Sequence, residues 1–230
     1  MAHLAHYREA HPLVYVITHW VNLICIVVLA FTGFVIHFPF VTGIMGVCRG
    51  AHLFCAFLLL ANLAFRVFSS PFIKSAPNLG TRDQVRDIFI FLPQPDNRHQ
   101  LWAWLKYYLF LKKEHPLAGK YGVPQKIAYL AVPFLLLFIA FSGFCLWEPT
   151  GDWFLFAWVT DLVGGILMMR IIHYISMWII IIFVMLHVYL SIANGIAPLK
   201  MIFFWKEHGG LVYDTRIKNI VGEDKLEDHA

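Results

Sequence analysis

Four long apolar stretches constrain the fold of this chain more than any other feature of its sequence. Each is about 20 residues or longer, which is the length that an α-helix needs to cross the hydrocarbon core of a bilayer. The stretches lack the alternation of polar and apolar residues that a barrel strand would show. Only 14% of the residues are charged, against about a quarter in a soluble domain. The sequence therefore predicts four transmembrane helices, at about residues 13–38, 45–68, 125–147 and 162–193.

Basic residues predict how these spans are oriented. Ten Lys and Arg residues lie between Arg66 and Lys126 inclusive, and five more follow the fourth span. The connection between the third and fourth spans has Glu148 and Asp152 but no base. Because cytoplasmic loops carry the excess of basic residues, both termini and the connection between the second and third spans are expected to be cytoplasmic. We therefore predict a multi-pass protein of the bacterial inner membrane.

The connection between the second and third spans, residues 69–124, is too long to be a simple linker. Residues 81–92 and 98–113 are both predicted to be helical. The second segment places aromatic residues between bases, which is typical of a helix lying in the membrane interface, although a buried cytoplasmic helix would fit too. The predicted fold is all-α: a single domain over residues 1–230, built as a four-helix transmembrane bundle. Its long cytoplasmic connection contains interfacial helices, and residues 194–230 form a cytoplasmic tail.

Histidines inside the spans are the strongest indication of function, because ionisable side chains are costly within a bilayer. His173 and His187 lie fourteen residues apart on the fourth span. This spacing returns a helical side chain to within about 40° of its starting face, about 21 Å further along the axis. One helix therefore presents two imidazoles on one side, at two depths. Their expected partners at matching depths are His52 for His173, toward the outer side, and His19 for His187, toward the inner side.

His37 competes with His52 for the outer position, because it lies eighteen residues after His19 and shares its face. A helix would place it about 27 Å from His19, too far out to match His173. We therefore interpret His37 as an interfacial histidine.

Paired imidazoles with no carboxylate beside them are typical of axial ligands to haem iron. Zinc would require three or four ligands that converge on one point. Each ligating ring would donate its other N–H to a backbone carbonyl, which fixes its tautomer. The chain has no Cys-x-x-Cys-His motif, which excludes covalently attached c-type haem. The sequence thus predicts two haems b, with His19, His52, His173 and His187 as the iron ligands.

Two arginines and two glycines flank the predicted haem ligands. Arg49 and Arg170 each lie three residues before a histidine of the outer pair, on the same helix face, where they would meet haem propionates. Snorkelling toward lipid head groups is the alternative role for these arginines. Gly33 lies fourteen residues after His19 and would allow a porphyrin to approach the helix; Gly143 would serve similarly or pack against another helix.

The four cysteines all fall within or at the ends of apolar stretches. We interpret them as buried thiols that act as small hydrophobic residues, rather than as redox or metal-binding groups. Cys48 and Cys55 are two helical turns apart, which is too far for a disulfide.

A set of short motifs along the chain carries a family resemblance: His11-Pro-Leu, Thr18-His19-Trp20, Thr32-Gly33-Phe34, Arg170-x-x-His173, Trp178, Phe183 and His187-Val-Tyr189. With these motifs the sequence resembles the b-type cytochrome subunit of membrane-bound nickel–iron hydrogenases over nearly its whole length. Related cytochromes include the gamma subunit of formate dehydrogenase and the cytochrome subunit of thiosulfate reductase. The resemblance implies the same four haem ligands, and partners that comprise an iron–sulfur small subunit and a large subunit. It also implies that menaquinone or ubiquinone is reduced on the cytoplasmic side.

A quinone pocket is implied by the resemblance at the start of the third span, residues 120–126. Tyr121 and Gln125 are the candidate quinone-binding residues there, and Pro124 would hold Gln125 in the first helical turn. Relatives often have Asn where this chain has Gly122, so that polar contact is not expected. The tail from residue 200 onward fits the family less well.

An electron-transfer subunit is the predicted function, because the chain carries no recognisable ligands for nickel or iron–sulfur clusters. Electrons would pass from an outward-facing hydrogenase through the outer and then the inner haem to quinone. The alternatives are the gamma-type subunit of a formate dehydrogenase or thiosulfate reductase, and a small cytochrome that acts without a partner. A histidine-containing transporter would instead be colourless, with broken helices or inverted repeats. Lipid surrounds the protein in each case, and no nucleic acid is expected as a partner.

Overall fold

Four long helices account for the four apolar stretches. The structure is a computed structural model that describes residues 4–7, 12–77, 84–90, 100–112, 123–193, 202–204, 211–214 and 219–223. Each of the four helices is long and apolar enough to cross a membrane. The prediction of a four-helix transmembrane bundle is therefore confirmed, and the chain is a multi-pass membrane protein. The helices of the bundle are α1 Leu13–His37, α2 Met45–Ser69, α5 Val123–Leu146 and α8 Ile166–Ala193.

Shorter elements lie between and beyond these helices. The strands are β1 Leu4–Tyr7, β2 Lys74–Pro77, β3 Gln84–Arg86, β4 Leu211–Asp214 and β5 Asn219–Glu223. The short helices are α3 Asp87–Ile90, α4 Leu101–Tyr108, α6 Glu148–Gly151 and α7 Phe154–Leu162.

The fourth span begins later than the sequence suggested. Leu162 was the predicted first residue, but it is the last residue of α7, and α8 begins at Ile166. Gly164 and Gly165 lie between them with φ values of 104° and 92°. Glycine adopts this left-handed region without the steric cost of a Cβ, so the pair ends one helix and starts another.

The connection between α2 and α5 differs in part from the prediction. Residues 84–86, expected to be helical, form β3, which pairs antiparallel with β2. Only α3 is helical in the described part of the predicted 81–92 helix. The second predicted helix is confirmed as α4, which ends where Phe110 takes a left-handed φ of 59°. Its position in the membrane interface remains a prediction.

The chain forms two compact units. The first comprises residues 1–17, 66–130 and 190–230, and the second comprises residues 18–65 and 131–189. Antiparallel strands, which the sequence did not predict, pair within the first unit in the order β1-β4-β5 and as β2-β3.

A packed apolar layer lies in the second unit, with residues from all four long helices. On α8 this layer is represented by Ile180, seven residues from His173 and seven from His187. The layer therefore occupies the level midway between the two histidines of that helix. Its buried members are Cys25, Cys55, Leu59, Leu136 and Ile180.

A buried ion pair fastens α3 to the end of α2 within the first unit. An Arg66 guanidinium nitrogen lies 2.6 Å from Asp87 Oδ2, and the Asp87 side chain is completely buried. The Arg66 guanidinium also stacks 3.6 Å above the centre of the Tyr15 ring. The Asp87 amide N–H donates to the carbonyl of Ile73, so both the backbone and the side chain of Asp87 hold α3 in place.

Removing the charge of Asp87 tests this fastening. Asp87→Asn leaves the partly buried Arg66 guanidinium without its anionic partner, and we expect the free energy of unfolding to fall by about 1–3 kcal/mol. Thermal or denaturant unfolding in detergent measures the change. Asp161→Asn, at an exposed position of α7, is the matched control and should unfold like the parent protein. Equal stability of all three proteins would show that the ion pair contributes nothing.

Candidate functional site

Two pairs of histidine rings face one another within the second compact unit. The ring centroids of His52 and His173 are 6.3 Å apart, with an angle of 58° between the planes. Those of His19 and His187 are 6.1 Å apart, with an angle of 41°. The structure therefore brings together both pairs that the sequence predicted, with α8 contributing one ring to each.

The separation of the rings matches two imidazoles that bind one metal ion from opposite sides. A metal–imidazole bond is about 2 Å long and the ring nitrogen lies about 1.1 Å from the ring centre, so the two centroids would be about 6 Å apart. In the described residues, no group of three or more His, Cys, Asp or Glu side chains could hold a metal ion. The ring spacing therefore fits one metal ion between the imidazoles of each pair, as predicted for haem iron, and the ligand assignment itself remains a prediction.

A threonine hydroxyl holds the His52 ring. Thr32 Oγ1 lies 2.9 Å from His52 Nδ1 and donates its own proton to the carbonyl of Val28, at 2.7 Å. With its proton on the Val28 carbonyl, the Thr32 hydroxyl can accept a hydrogen bond from His52 when the ring carries its proton on Nδ1. That tautomer leaves the Nε2 lone pair for a metal, so the contact fits an imidazole that binds iron through Nε2.

A serine hydroxyl holds the His173 ring in the same way. Ser142 Oγ lies 2.8 Å from His173 Nδ1 and donates to the carbonyl of Ile139, also at 2.8 Å. The sequence had predicted a backbone carbonyl as the partner of each ring. The carbonyls of Leu29 and Ile139 are within reach of His52 and His173 respectively, but the hydroxyls are the partners with defined geometry. Both contacts fit the tautomer with the proton on Nδ1, which leaves Nε2 free to bind a metal.

A repeated sequence pattern, Phe-Thr/Ser-Gly-Phe, supplies these contacts at residues 31–34 of α1 and 141–144 of α5. A Cβ on Gly33 would lie 3.6 Å from His52 Cε1, and a Cβ on Gly143 would lie 3.4 Å from His173 Cε1. Each pattern therefore provides a hydroxyl for Nδ1 and a side-chain-free surface for the ring. The sequence interpretation identified the glycines but missed the hydroxyls, which the repetition could have revealed.

The His19–His187 pair has a different environment. His19 Nδ1 is buried and has no hydrogen-bond partner among the described residues. The neighbouring residue is held instead: Asn62 Nδ2 donates to the carbonyl of Thr18 at 2.8 Å and to Asn22 Oδ1 at 2.6 Å. These bonds fix α1 beside His19 to α2. Among the described residues, His19 Nδ1 has no such partner.

His37 belongs to neither pair in the structure. Its ring stacks on Tyr174, with centroids 4.1 Å apart and an angle of 13° between the planes. Phe38 meets the His37 ring edge-on at 4.4 Å, and the residue is nevertheless exposed. The interfacial position proposed for His37 remains a prediction.

Four further predicted site residues are Arg49, Arg170, Gln125 and Tyr121. Arg49 and Arg170 are exposed, and Gln125 is half-buried in the first turn of α5. Tyr121 lies outside the described residues. The four cysteines are buried free thiols, as predicted.

Comparison with known proteins assigns the chain to a family. The sequence pattern of the prokaryotic cytochrome b561 family matches residues 10–204. This chain belongs to the prokaryotic cytochrome b561 family. A relative from Rhizobium leguminosarum bv. viciae, named a probable Ni/Fe-hydrogenase B-type cytochrome subunit, is 31% identical over 198 residues, covering 78% of each chain. Relatives with the same name from Azotobacter vinelandii (30% identical, 77% of each chain) and Cupriavidus necator (28%, covering 77% of this chain and 76% of the relative) are also similar.

Membership of a cytochrome b family implies haem b, and the structure offers residues that fit it. The facing imidazoles of each pair have the spacing of axial ligands. Gly33 and Gly143 leave room beside His52 and His173, where a larger side chain would compete with a porphyrin. The family and the ring geometry thus point independently to the same cofactor.

The space beside His173 can be tested by filling it. In Gly143→Leu the new side chain would collide with the His173 ring, so we expect the purified cytochrome to bind about half as much haem as the parent protein, if each pair holds one haem. Pyridine haemochrome absorbance per chain is the measurement. Gly50→Leu is the matched control, because a Cβ at Gly50 meets no atom within 4 Å. Unchanged haem content in Gly143→Leu would mean that this glycine is not needed for the site.

Proposed function

We propose that this chain is the dihaem cytochrome b subunit of a Ni/Fe hydrogenase, which passes electrons from that enzyme to quinone in the membrane. The observation that carries the proposal is the presence of two facing histidine pairs, with ring centroids 6.1 and 6.3 Å apart. Haem b, when bound, supplies a one-electron redox centre whose potential depends on its axial ligands and their surroundings. The role of the chain is to hold two such centres at fixed depths.

Helix α8 sets those depths. His173 and His187 are fourteen residues apart, which corresponds to about 21 Å along a helix axis. The hydrocarbon core of a bilayer is about 30 Å thick, so two centres held this far apart would be separated by most of its thickness. The apolar layer around Ile180 excludes water between the two levels.

The names of the relatives support hydrogenase as the partner. The relatives from Rhizobium, Azotobacter and Cupriavidus described above are all named probable Ni/Fe-hydrogenase B-type cytochrome subunits. We therefore favour an iron–sulfur small subunit and a large subunit of a hydrogenase over the partners of formate dehydrogenase or thiosulfate reductase. This chain serves as the membrane anchor and as the electron-transfer subunit of the complex.

The distribution of basic residues supports an orientation with both termini on the cytoplasmic side of the inner membrane. In this orientation the His52–His173 pair is nearer the outer face and receives electrons from the hydrogenase. Arg49 and Arg170, exposed on α2 and α8, are placed to pair with haem propionates on that side. The His19–His187 pair is nearer the cytoplasm and delivers electrons to quinone.

Quinone reduction requires protons as well as electrons, which favours a site at the cytoplasmic end of α5. Gln125 is our principal candidate for a quinone ligand, because its amide can hydrogen-bond a quinone carbonyl and Pro124 fixes it in the first turn. Tyr121, four residues earlier, is the second candidate. Menaquinone and ubiquinone share the carbonyl chemistry that these groups would recognise.

Histidine substitutions test the number and position of the haems. We expect two haems b per chain with low-spin bis-imidazole spectra. His52→Ala and His173→Ala should each lose one and the same haem, while His19→Ala and His187→Ala should lose the other. His37→Ala is the matched control and should keep both. Haem content and redox titration of purified protein are the measurements, and a full haem complement in His173→Ala would exclude the assignment.

Substitution of Gln125 tests the quinone site. Gln125→Leu should keep both haems and their reduction by the natural donor, but slow electron delivery to quinone about tenfold or more, since a lost hydrogen bond to a carbonyl oxygen that gains negative charge is worth about 1.5 kcal/mol or more. Gln125→Asn retains an amide and should be less affected. Stopped-flow oxidation of the reduced cytochrome by a water-soluble quinone provides the rate. Normal turnover in Gln125→Leu would place the site elsewhere.

A further inference from the structure

We infer that Thr32 and Ser142 are positioning residues, which fix the proton and plane of the two imidazoles in the His52–His173 pair and lower the midpoint potential of the haem bound there. The inference rests on the proposed function, because it requires a haem between these rings. It goes beyond that function by assigning roles to two hydroxyl groups.

The direction of each hydrogen bond follows from counting protons. Thr32 donates its proton to the Val28 carbonyl at 2.7 Å, and Ser142 donates its proton to the Ile139 carbonyl at 2.8 Å. Both hydroxyls are buried, with 4% and 2% of the residue exposed, so water does not offer them another acceptor. When Nε2 binds iron, the ring proton is on Nδ1, so each hydroxyl accepts from the imidazole N–H that lies 2.9 or 2.8 Å away.

A hydroxyl already polarised by donating to a carbonyl is a stronger acceptor, because chained hydrogen bonds reinforce one another. Accepting from Nδ1–H draws that proton away from the ring and makes Nε2 a more basic ligand. A more basic axial ligand stabilises ferric iron over ferrous iron, which lowers the midpoint potential. Both axial ligands of this pair have the same arrangement, so their effects add.

The second pair provides the contrast within one molecule. His19 Nδ1 is buried and lacks a hydrogen-bond partner among the described residues, and its neighbourhood is held through the Thr18 backbone instead. Both rings of the His52–His173 pair thus have a hydroxyl contact at Nδ1, whereas His19 has none among the described residues. Lowering the potential at the His52–His173 pair favours the onward passage of electrons toward the His19–His187 pair.

The hydroxyls also restrict ring rotation. A hydrogen bond to Nδ1 on one edge of His52 and of His173, with Gly33 and Gly143 against Cε1, leaves each ring a single orientation. The angle of 58° between the two ring planes is therefore set by α1 and α5, which supply these contacts. Electron paramagnetic resonance of ferric bis-imidazole haem reports this angle directly.

The test is a redox titration and electron paramagnetic resonance of the purified, haem-loaded protein carrying Thr32→Val, Ser142→Ala or both. We expect both haems to be retained, the midpoint potential of the His52–His173 haem to shift upward in each single variant and further in the double variant, and the resonance of that haem alone to change. Thr32→Ser and Ser142→Thr keep the hydroxyl and should restore the potential and spectrum of the parent.

A matched control separates these effects from the loss of any buried hydroxyl. Ser176→Ala removes a buried hydroxyl that donates to the carbonyl of Ile172 in its own helix, and it should shift neither haem. Two bis-histidine haems whose potentials and spectra stay unchanged in the double variant would overturn the inference while leaving the proposed function intact. Absence of two such haems from the parent protein would instead overturn the proposed function.

Discussion

The cost of placing four imidazoles in an apolar bundle is the constraint on which the rest of this structure depends. Burying a polar ring inside a membrane costs free energy that partners for its nitrogens offset. The fourteen-residue spacing on α8 places two of the rings at two levels on one helix face, and α2 and α1 each supply one opposing ring. Between the levels, the layer around Ile180 is apolar because nothing at that depth requires a polar partner. The second compact unit thus contains two histidine pairs at different levels, separated by an apolar layer.

The two levels are stabilised by different means. At the His52–His173 pair, α1 and α5 use the same Phe-Thr/Ser-Gly-Phe pattern, so that a hydroxyl reaches each ring nitrogen and a glycine leaves each ring its space. At the His19–His187 pair, the Asn62 amide holds the backbone next to His19. A ligand held through its own ring has a fixed plane and basicity, whereas a ligand held through its backbone has a fixed position only. Hydroxyl groups therefore contact the His52 and His173 rings, whereas an amide contacts the α1 backbone beside His19.

The first compact unit is held by polar contacts of another kind. The completely buried Asp87 carboxylate pairs with Arg66 at the end of α2, and short antiparallel strands join segments that are distant in sequence. A buried charge of this kind is tolerated only with a close partner. The ion pair therefore requires α3, which carries Asp87, to pack against the end of α2. The ion pair thus joins the end of transmembrane helix α2 to a segment whose sequence has little hydrophobic pattern.

The sequence by itself determined the four spans, the two histidine pairs and the burial of the cysteines, because each depends on hydrophobic length or on helical periodicity along one element. Tertiary structure decided what periodicity does not encode. Residues 84–86 form a strand because β2 offers a pairing edge, and α8 begins four residues later than predicted because Gly164 and Gly165 turn the backbone. The hydroxyl partners of His52 and His173 come from helices other than their own, at sequence separations of 20 and 31 residues. The repeated Phe-Thr/Ser-Gly-Phe pattern marks the two hydroxyls, but which ring each one reaches is decided only when helices from different parts of the chain pack side by side.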